Sequence, residues 1–203
     1  MSTNNYTAIL LDMNGVIIDD EHIHEAAFRQ VLGEIGHTLT PEEYREHYVG
    51  RTDREGLQDH LASKGAAVAG LDTLLATKSA AYHTRAAQGI QSFAGVREFV
   101  EKAAARGLQL AVVTSANQDE AVSVLESLDI ARFMGCLVSG DDIDIGKPSP
   151  EGYLKAAAIL GVKPSHCVVI EDAPNGVLAA KNAGMYCVGI TNTHSRTSYS
   201  TQT

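Results

Sequence analysis

At 203 residues, 44% hydrophobic and 20% charged, the chain is long enough to bury a substantial core and is neither disordered nor fibrous in composition. A formal net charge of -9 with no Lys/Arg cluster argues against nucleic-acid binding, and no apolar run approaches the roughly 20 residues of a membrane-spanning helix, so no membrane partner is expected. Three cysteines, Cys136, Cys167 and Cys187, at spacings that suit no zinc site, together with an N-terminus unlike a signal peptide, lead us to expect buried thiols and a reducing, cytoplasmic setting.

In chain order, the first element is the apolar run "YTAILLD" (6–12), a strand that stops at Asp12 and turns through Gly15. From about Asp20 to Gly89 no β run occurs. Four helical stretches fill the interval: "DEHIHEAAFRQVLGEIG", "TPEEYREHYV", "DREGLQDHLASKG" and "LDTLLATKSAAYHTRAAQG". The first carries Ile23, Ala26, Ala27, Val31 and Ile35 at helical spacing, and Phe28, Val31, Leu32 and Ile35 are expected to form local core. Thr40-Pro41-Glu42-Glu43 reads as an N-cap, a Pro at the first helical position and an acidic first turn.

After the insert, strand and helix alternate. "AGVREFVEKAAARG" (94–107) carries Val96, Phe99, Val100 and Ala103 on one stripe and ends at Gly107. The strands "LQLAVVTS" (108–115), "FMGCLVSG" (133–140), "HCVVIED" (166–172) and "MYCVGIT" (185–191) follow, with helices "DEAVSVLESLD" and "PEGYLKAAAILG" among them. Strands that are apolar almost throughout suit a parallel sheet covered on both faces. The expected class is α/β: a doubly wound, Rossmann-like parallel sheet core (1–19 and 90–203) with an inserted α-helical cap domain (20–89). The polar tail from Thr191 reads as loop.

In an open α/β sheet, ligands sit beyond the carboxyl ends of the strands. Those ends deliver Asp12, then Thr114-Ser115-Ala116-Asn117, then Lys147 from the loop after the third strand, then Glu171-Asp172. The set suits phosphoryl transfer: a carboxylate nucleophile, a hydroxyl with amides and an ammonium for the phosphoryl oxygens, and carboxylates for Mg²⁺. Each element also has a plain structural reading. Asp12 could close a turn, Thr114-Ser115 could cap a helix, Lys147 could be a solvated loop cation, and Glu171-Asp172 could cap the helix that Pro174 begins.

The motifs "DMNGVIIDDEHIH", "VVTSAN", "GKPSPEGY" and "VIEDAPNGVLAAKNAG" resemble those of the haloacid dehalogenase-like superfamily, in the branch whose helical cap follows the first strand. The resemblance covers nearly the whole chain. It implies an aspartyl-phosphate on Asp12, phosphate binding by Thr114, charge neutralisation by Lys147, and Mg²⁺ held by Asp12, Asp172 and the main-chain carbonyl of Asn14, with Glu171 nearby. From the cap it implies His24 at the entrance and Gly50 and Arg51 over the phosphate, where Ser115, Ala116 and Asn117 would also bind substrate. Arg51 would suit an anionic group, although it could equally open a helix with surface ion pairs. The implied activity is hydrolysis of a small phosphorylated metabolite by a monomer or dimer. The family pattern usually continues past Thr203 into another helix, so the chain is expected to be trimmed.

One position departs from that pattern. Phosphotransferases of the family carry Asp where this chain has Asn14, and Asn cannot exchange the proton that the acid moves. Loss of a positioned acid/base costs roughly 10²–10⁴-fold in rate. Three explanations are open: an engineered substitution, a natural variant with another proton carrier, and a natural protein that only binds. A β-phosphoglucomutase-like mutase and a receiver-like regulatory module phosphorylated on Asp12 are the alternative functions. Phosphonate hydrolysis would need a Schiff-base lysine, for which Lys64 and Lys78 are weak candidates, and dehalogenation would have no use for Glu171-Asp172.

Overall fold

The computed structural model describes residues 5–49, 51–66 and 70–192. Five strands, β1 (Ala8–Leu11), β2 (Gln109–Val113), β3 (Cys136–Val138), β4 (Cys167–Glu171) and β5 (Tyr186–Gly189), form one sheet in the order β3-β2-β1-β4-β5. Every pairing is parallel. The alternation of side chains along the strands feeds two cores. Leu10, Val113 and Val169 pack with Tyr153, Ala156 and Ala180 on one face; Leu11, Leu110 and Val112 pack with Val100, Val124 and Leu125 on the other. The helices that supply these residues are α5 (Val96–Ala105), α6 (Gln118–Ser127), α7 (Glu151–Leu160) and α8 (Pro174–Asn182). Helices on both faces make the doubly wound sheet that the sequence pattern predicts.

Between β1 and β2 lie α1 (Glu21–Glu34), α2 (Pro41–His47), α3 (Asp53–Ser63) and α4 (Leu71–Ala86). They build cores of their own, around Phe28, Leu32, Tyr44 and Leu57, and around Ile23, Ala27 and Tyr82. Thr40 is the N-cap of α2 and forms a capping box with Glu43, and Thr52 forms a second one with Glu55 at the start of α3. The chain enters and leaves this insert through two segments that run side by side. Asp19 N donates to Gln91 O (2.9 Å), Phe93 N donates to Ile17 O (3.1 Å), and Ile18 bridges Ser92.

Several burial expectations need correction. Phe99 is 41% exposed and Ile35 43% exposed, because the sheet reaches only the Val100–Ala103 side of α5 and because Ile35 lies beyond the last turn of α1. β5 is one of the two outer strands, so its Tyr186 is exposed although the run reads as apolar. Only Cys167 of the three free thiols is fully buried, and burial still raises the pKa of all three, that of Cys187 to about 12. Among the described residues no helix is long and apolar enough to cross a membrane. Most of the polar tail, residues 193–203, lies outside the described residues.

Candidate active site

The order β2-β1-β4, with Leu11 in register with Val112 and Ile170, puts Asp12, Thr114 and Glu171-Asp172 side by side at the carboxyl end of the sheet. Lys147 reaches them from the loop after β3. Its Nζ lies 2.6 Å from Asp12 Oδ1 and 2.6 Å from Glu171 Oε1, and 3.4 Å from the carbonyl of Val113. At 8% exposure it is not a solvated loop cation.

Glu171 spends both oxygens on protein donors. Oε1 accepts from Lys147 and from Tyr153 Oη (2.8 Å), and Oε2 accepts from the amides of Asp172 (2.9 Å) and Ala173 (3.0 Å). Two glycines make room for the acids: a Cβ on Gly176 would land on the Glu171 carboxylate, and one on Gly15 would land on that of Asp172. Gly15 also has φ +77, so the turn after β1 favours glycine twice over. The N-cap of α8 is Ala173, without a side-chain cap, so neither acid of the pair caps that helix.

Burial, with the charges of Glu171 and Asp172, drives the Asp12 carboxyl well above its ordinary value against the pull of Lys147. Lys147 is held above its own ordinary value by Asp12 and Glu171, although burial opposes this. Oxygens of Asp12, Glu171 and Asp172 lie within 4.8 Å of one another. A cluster of hard oxygen donors with more carboxylates than cations fits a small divalent cation such as Mg²⁺.

Thr114 Oγ1 accepts from the amide of Ala116 (3.1 Å) and lies 3.3 Å from Asn14 Oδ1. Ser115 and Ala116 line the pocket above Asp12, whereas Asn117 caps α6 by accepting from Glu120 N (2.9 Å) and faces a different cleft. From the insert, His24 and Arg51 line the same pocket. Arg51 also pairs with Asp59 at 2.7 Å, so its structural and its ligand-facing readings hold together. Gly50 lies outside the described residues.

Behind Asn14 is a buried polar network that the sequence reading missed. Asn14 Nδ2 donates to both oxygens of Asp20 (2.8 and 3.0 Å), and Tyr82 Oη donates to Asp20 Oδ2 (2.6 Å). His24 Nε2 lies 3.3 Å from Asp20 Oδ2, and His24 Nδ1 lies 2.8 Å from Lys78 Nζ. Because Lys78 can only donate, Nδ1 accepts in the neutral ring, whose proton then sits on Nε2, toward Asp20. Burial and Lys78 oppose a charge on this ring, but Asp20 and Glu120 outweigh them and raise its pKa, so that it is charged in acid. Lys78 is fully buried, pairs with Asp53 at 2.6 Å and lies 3.6 Å from Glu120 on α6. A ring nitrogen of His24 and carboxylate oxygens of Asp53 and Glu120 are close enough together to hold an ion, but the ammonium of Lys78 already contacts all three residues. The only sequence signal for this network was the acidic Asp19-Asp20-Glu21 run; nothing local marks Lys78 or Glu120.

The model of the haloacid dehalogenase-like hydrolase family matches residues 6–184. The chain is 36% identical over 190 residues to validoxylamine A 7'-phosphate phosphatase of Streptomyces hygroscopicus subsp. limoneus, covering 93% of this chain and 87% of that protein. It is 34% identical to the phosphorylated carbohydrates phosphatase of Thermotoga maritima, covering 88% and 82%. Among solved structures, a mutant CbbY from Rhodobacter sphaeroides in complex with xylulose-(1,5)bisphosphate superposes with a TM-score of 0.86 at 26% identity, covering 95% of this chain and 89% of that one. With the family model spanning strands β1 to β4 and the insert, this chain belongs to the haloacid dehalogenase-like hydrolases.

Proposed function

We propose that the chain is a Mg²⁺-dependent phosphatase of a small phosphorylated carbohydrate, acting through an aspartyl-phosphate on Asp12, with the helical insert as its cap. The observation that carries this reading is Lys147 bridging Asp12 and Glu171 at 2.6 Å each, beside Asp172 seated against Gly15. The two relatives named as phosphatases of phosphorylated sugars or sugar-like compounds support the substrate class.

Asp12, at the end of β1, attacks phosphorus. Lys147 and the amide of Ser115 hold the phosphoryl oxygens, with Thr114 fixing that turn by accepting from Ala116 N. Asp12, Asp172 and the main-chain carbonyl of residue 14 would hold Mg²⁺, which supplies charge against the phosphoryl oxygens and favours ionised Asp12. Glu171, with all its oxygens taken by protein donors, stays behind Lys147 and sets its position. Asn14 cannot move a proton to the leaving oxygen, so turnover is slow, by roughly 10²–10⁴-fold against an acid at this position. We read Asn14 as fitted to Asp20 and not as an isolated replacement.

The test is Mg²⁺-dependent phosphate release from sugar, nucleotide and glycerol phosphates, with mass spectrometry for phosphate on Asp12. Release that disappears with Asp12→Asn, and a phosphate found on Asp12, support the reading. Bisphosphate-dependent isomerisation without net release would replace it with a mutase. Absence of both turnover and phosphorylation in the presence of Mg²⁺ would leave a binding protein.

A further inference from the structure

Beyond the phosphoryl site, the pocket continues into the insert, where Glu21, Tyr44, Tyr48 and Phe28 form its wall. The charges there do not balance locally. Arg51 is paired with Asp59, and Asp53 is paired with Lys78. Glu21 has no Lys, Arg or His within ion-pair distance among the described residues; its hydrogen-bond partner is the neutral Tyr44 Oη, at 2.8 Å. Placement in the first turn of α1 offsets part of that charge. Burial, with the charge of Asp20, nonetheless pushes the Glu21 carboxyl above its ordinary value against the pull of His24, Tyr44 and the more distant Lys78.

Tyr48 gives a second, independent sign. It is 5% exposed, lines the same pocket, and its buried hydroxyl has no hydrogen-bond partner among the described residues. A buried orphan hydroxyl costs free energy unless something completes it. Tyr44 and Tyr48 stack at 5.4 Å with 13° between their planes, and Phe28 lies 4.2 Å from Tyr48, so the wall is also a set of π faces. An unpaired carboxylate, an unused hydroxyl and aromatic faces are together complementary to one chemical group, a cation that also carries hydroxyls.

We propose that the leaving group of the substrate bears an ammonium, so that the chain takes amino-sugar phosphates, with Glu21 as the residue that selects the charge and Tyr48 as the donor to a neighbouring hydroxyl. This rests on the phosphatase reading of the same pocket. The phosphoryl group sits at Asp12 and Lys147, and the ammonium of the bound ester faces Glu21. A neutral sugar phosphate leaves Glu21 uncompensated and binds more weakly.

Calorimetry on the full chain with Mg²⁺ tests the proposal. The probes are two matched pairs, glucosamine 6-phosphate with glucose 6-phosphate and phosphoethanolamine with ethyl phosphate, beside inorganic phosphate. We expect the amine of at least one pair to bind about tenfold or more tightly than its neutral partner, the scale of a charge-assisted hydrogen bond. Glu21→Gln, which still accepts from Tyr44, should remove that preference. Equal binding within both pairs, alongside measurable phosphate binding, overturns the ammonium subsite and leaves the phosphatase reading standing. A preference that survives Glu21→Gln also overturns it. If neither the esters nor inorganic phosphate binds, both readings fall.

Discussion

The side-chain amide of Asn14 donates to both carboxylate oxygens of Asp20, at 2.8 and 3.0 Å, so an amide at one position is matched to a buried acid at the other. A carboxylate at position 14 would have no proton to offer, and its oxygens would meet those of Asp20 at hydrogen-bond distance. Two carboxylates that close cannot both ionise without a large penalty.

This pairing changes what Asn14→Asp should do. Alone, the substitution places the acid where the family's phosphotransferases carry it, but opposite a second acid. Transposing the pair, Asn14→Asp with Asp20→Asn, keeps one donor amide and one acceptor. The transposed variant should release phosphate roughly 10²–10⁴-fold faster than the unaltered chain, with the single variant well below it. Equal rates for the two variants, measured with the same sugar phosphate and Mg²⁺, would show that Asp20 does not oppose an acid at position 14.

Asp20 should also govern stability in acid. Burial works to raise its pKa, yet the hydrogen bond and charge of His24, with Tyr82 and Asn14, bring it below its ordinary value of 3.8. A folded-state value below the unfolded one means that Asp20 contributes stability present above about pH 3.8 and lost as pH falls through the folded value. Urea midpoints followed into acid should fall more steeply for the unaltered chain than for Asp20→Asn. Parallel acid limbs would assign the loss to other carboxylates.

The sheet and the strand-end acids were legible because each rests on local pattern: an apolar run, a polar stop, a glycine. Asp12, Lys147 and Glu171 come together because β1 lies between β2 and β4, which the strand–helix alternation already implies. The network behind Asn14 was not legible for the opposite reason. Tyr82 reaches Asp20 across 62 residues and Lys78 reaches His24 across 54. Both lie on a helix whose apolar pattern says only that one face is buried. Ile35 and Phe99 misled the reading because periodicity names a stripe without showing how far the neighbouring element extends over it.

Gly15 offers a test of the cation site that spares every side chain proposed to act there. Gly15→Ala forces a residue with a Cβ into φ +77 and drives that Cβ onto the Asp172 carboxylate. Asp172 must move, so Mg²⁺ affinity should fall by about tenfold or more, the scale seen when groups orienting a metal's ligands are lost. Gly36→Ala, at φ +81 with open space around it, carries the backbone strain alone. If the two variants bind Mg²⁺ equally well in a direct titration, Asp172 is not part of the site.

The last prediction concerns how the insert is held against the sheet. Lys78 on α4 and Glu120 on α6 are both fully buried, 3.6 Å apart, and the Glu120 oxygens have no hydrogen-bond partner among the described residues. The ammonium is thus the principal compensation for Glu120 as well as a partner of Asp53 and His24. Removing one member of a buried pair strands the other, so Lys78→Met should destabilise the protein by about 3–5 kcal/mol. The cost should shrink when Glu120→Leu is added, because the stranded charge is then gone, although Asp53 still loses its partner. A double-mutant cycle by urea denaturation reads the coupling directly. Additive costs would mean that Lys78 acts through Asp53 and His24 alone, within the insert. A coupling of 1 kcal/mol or more, on the order expected for residues in one ionic network, would mean that the contact between insert and sheet depends on this pair.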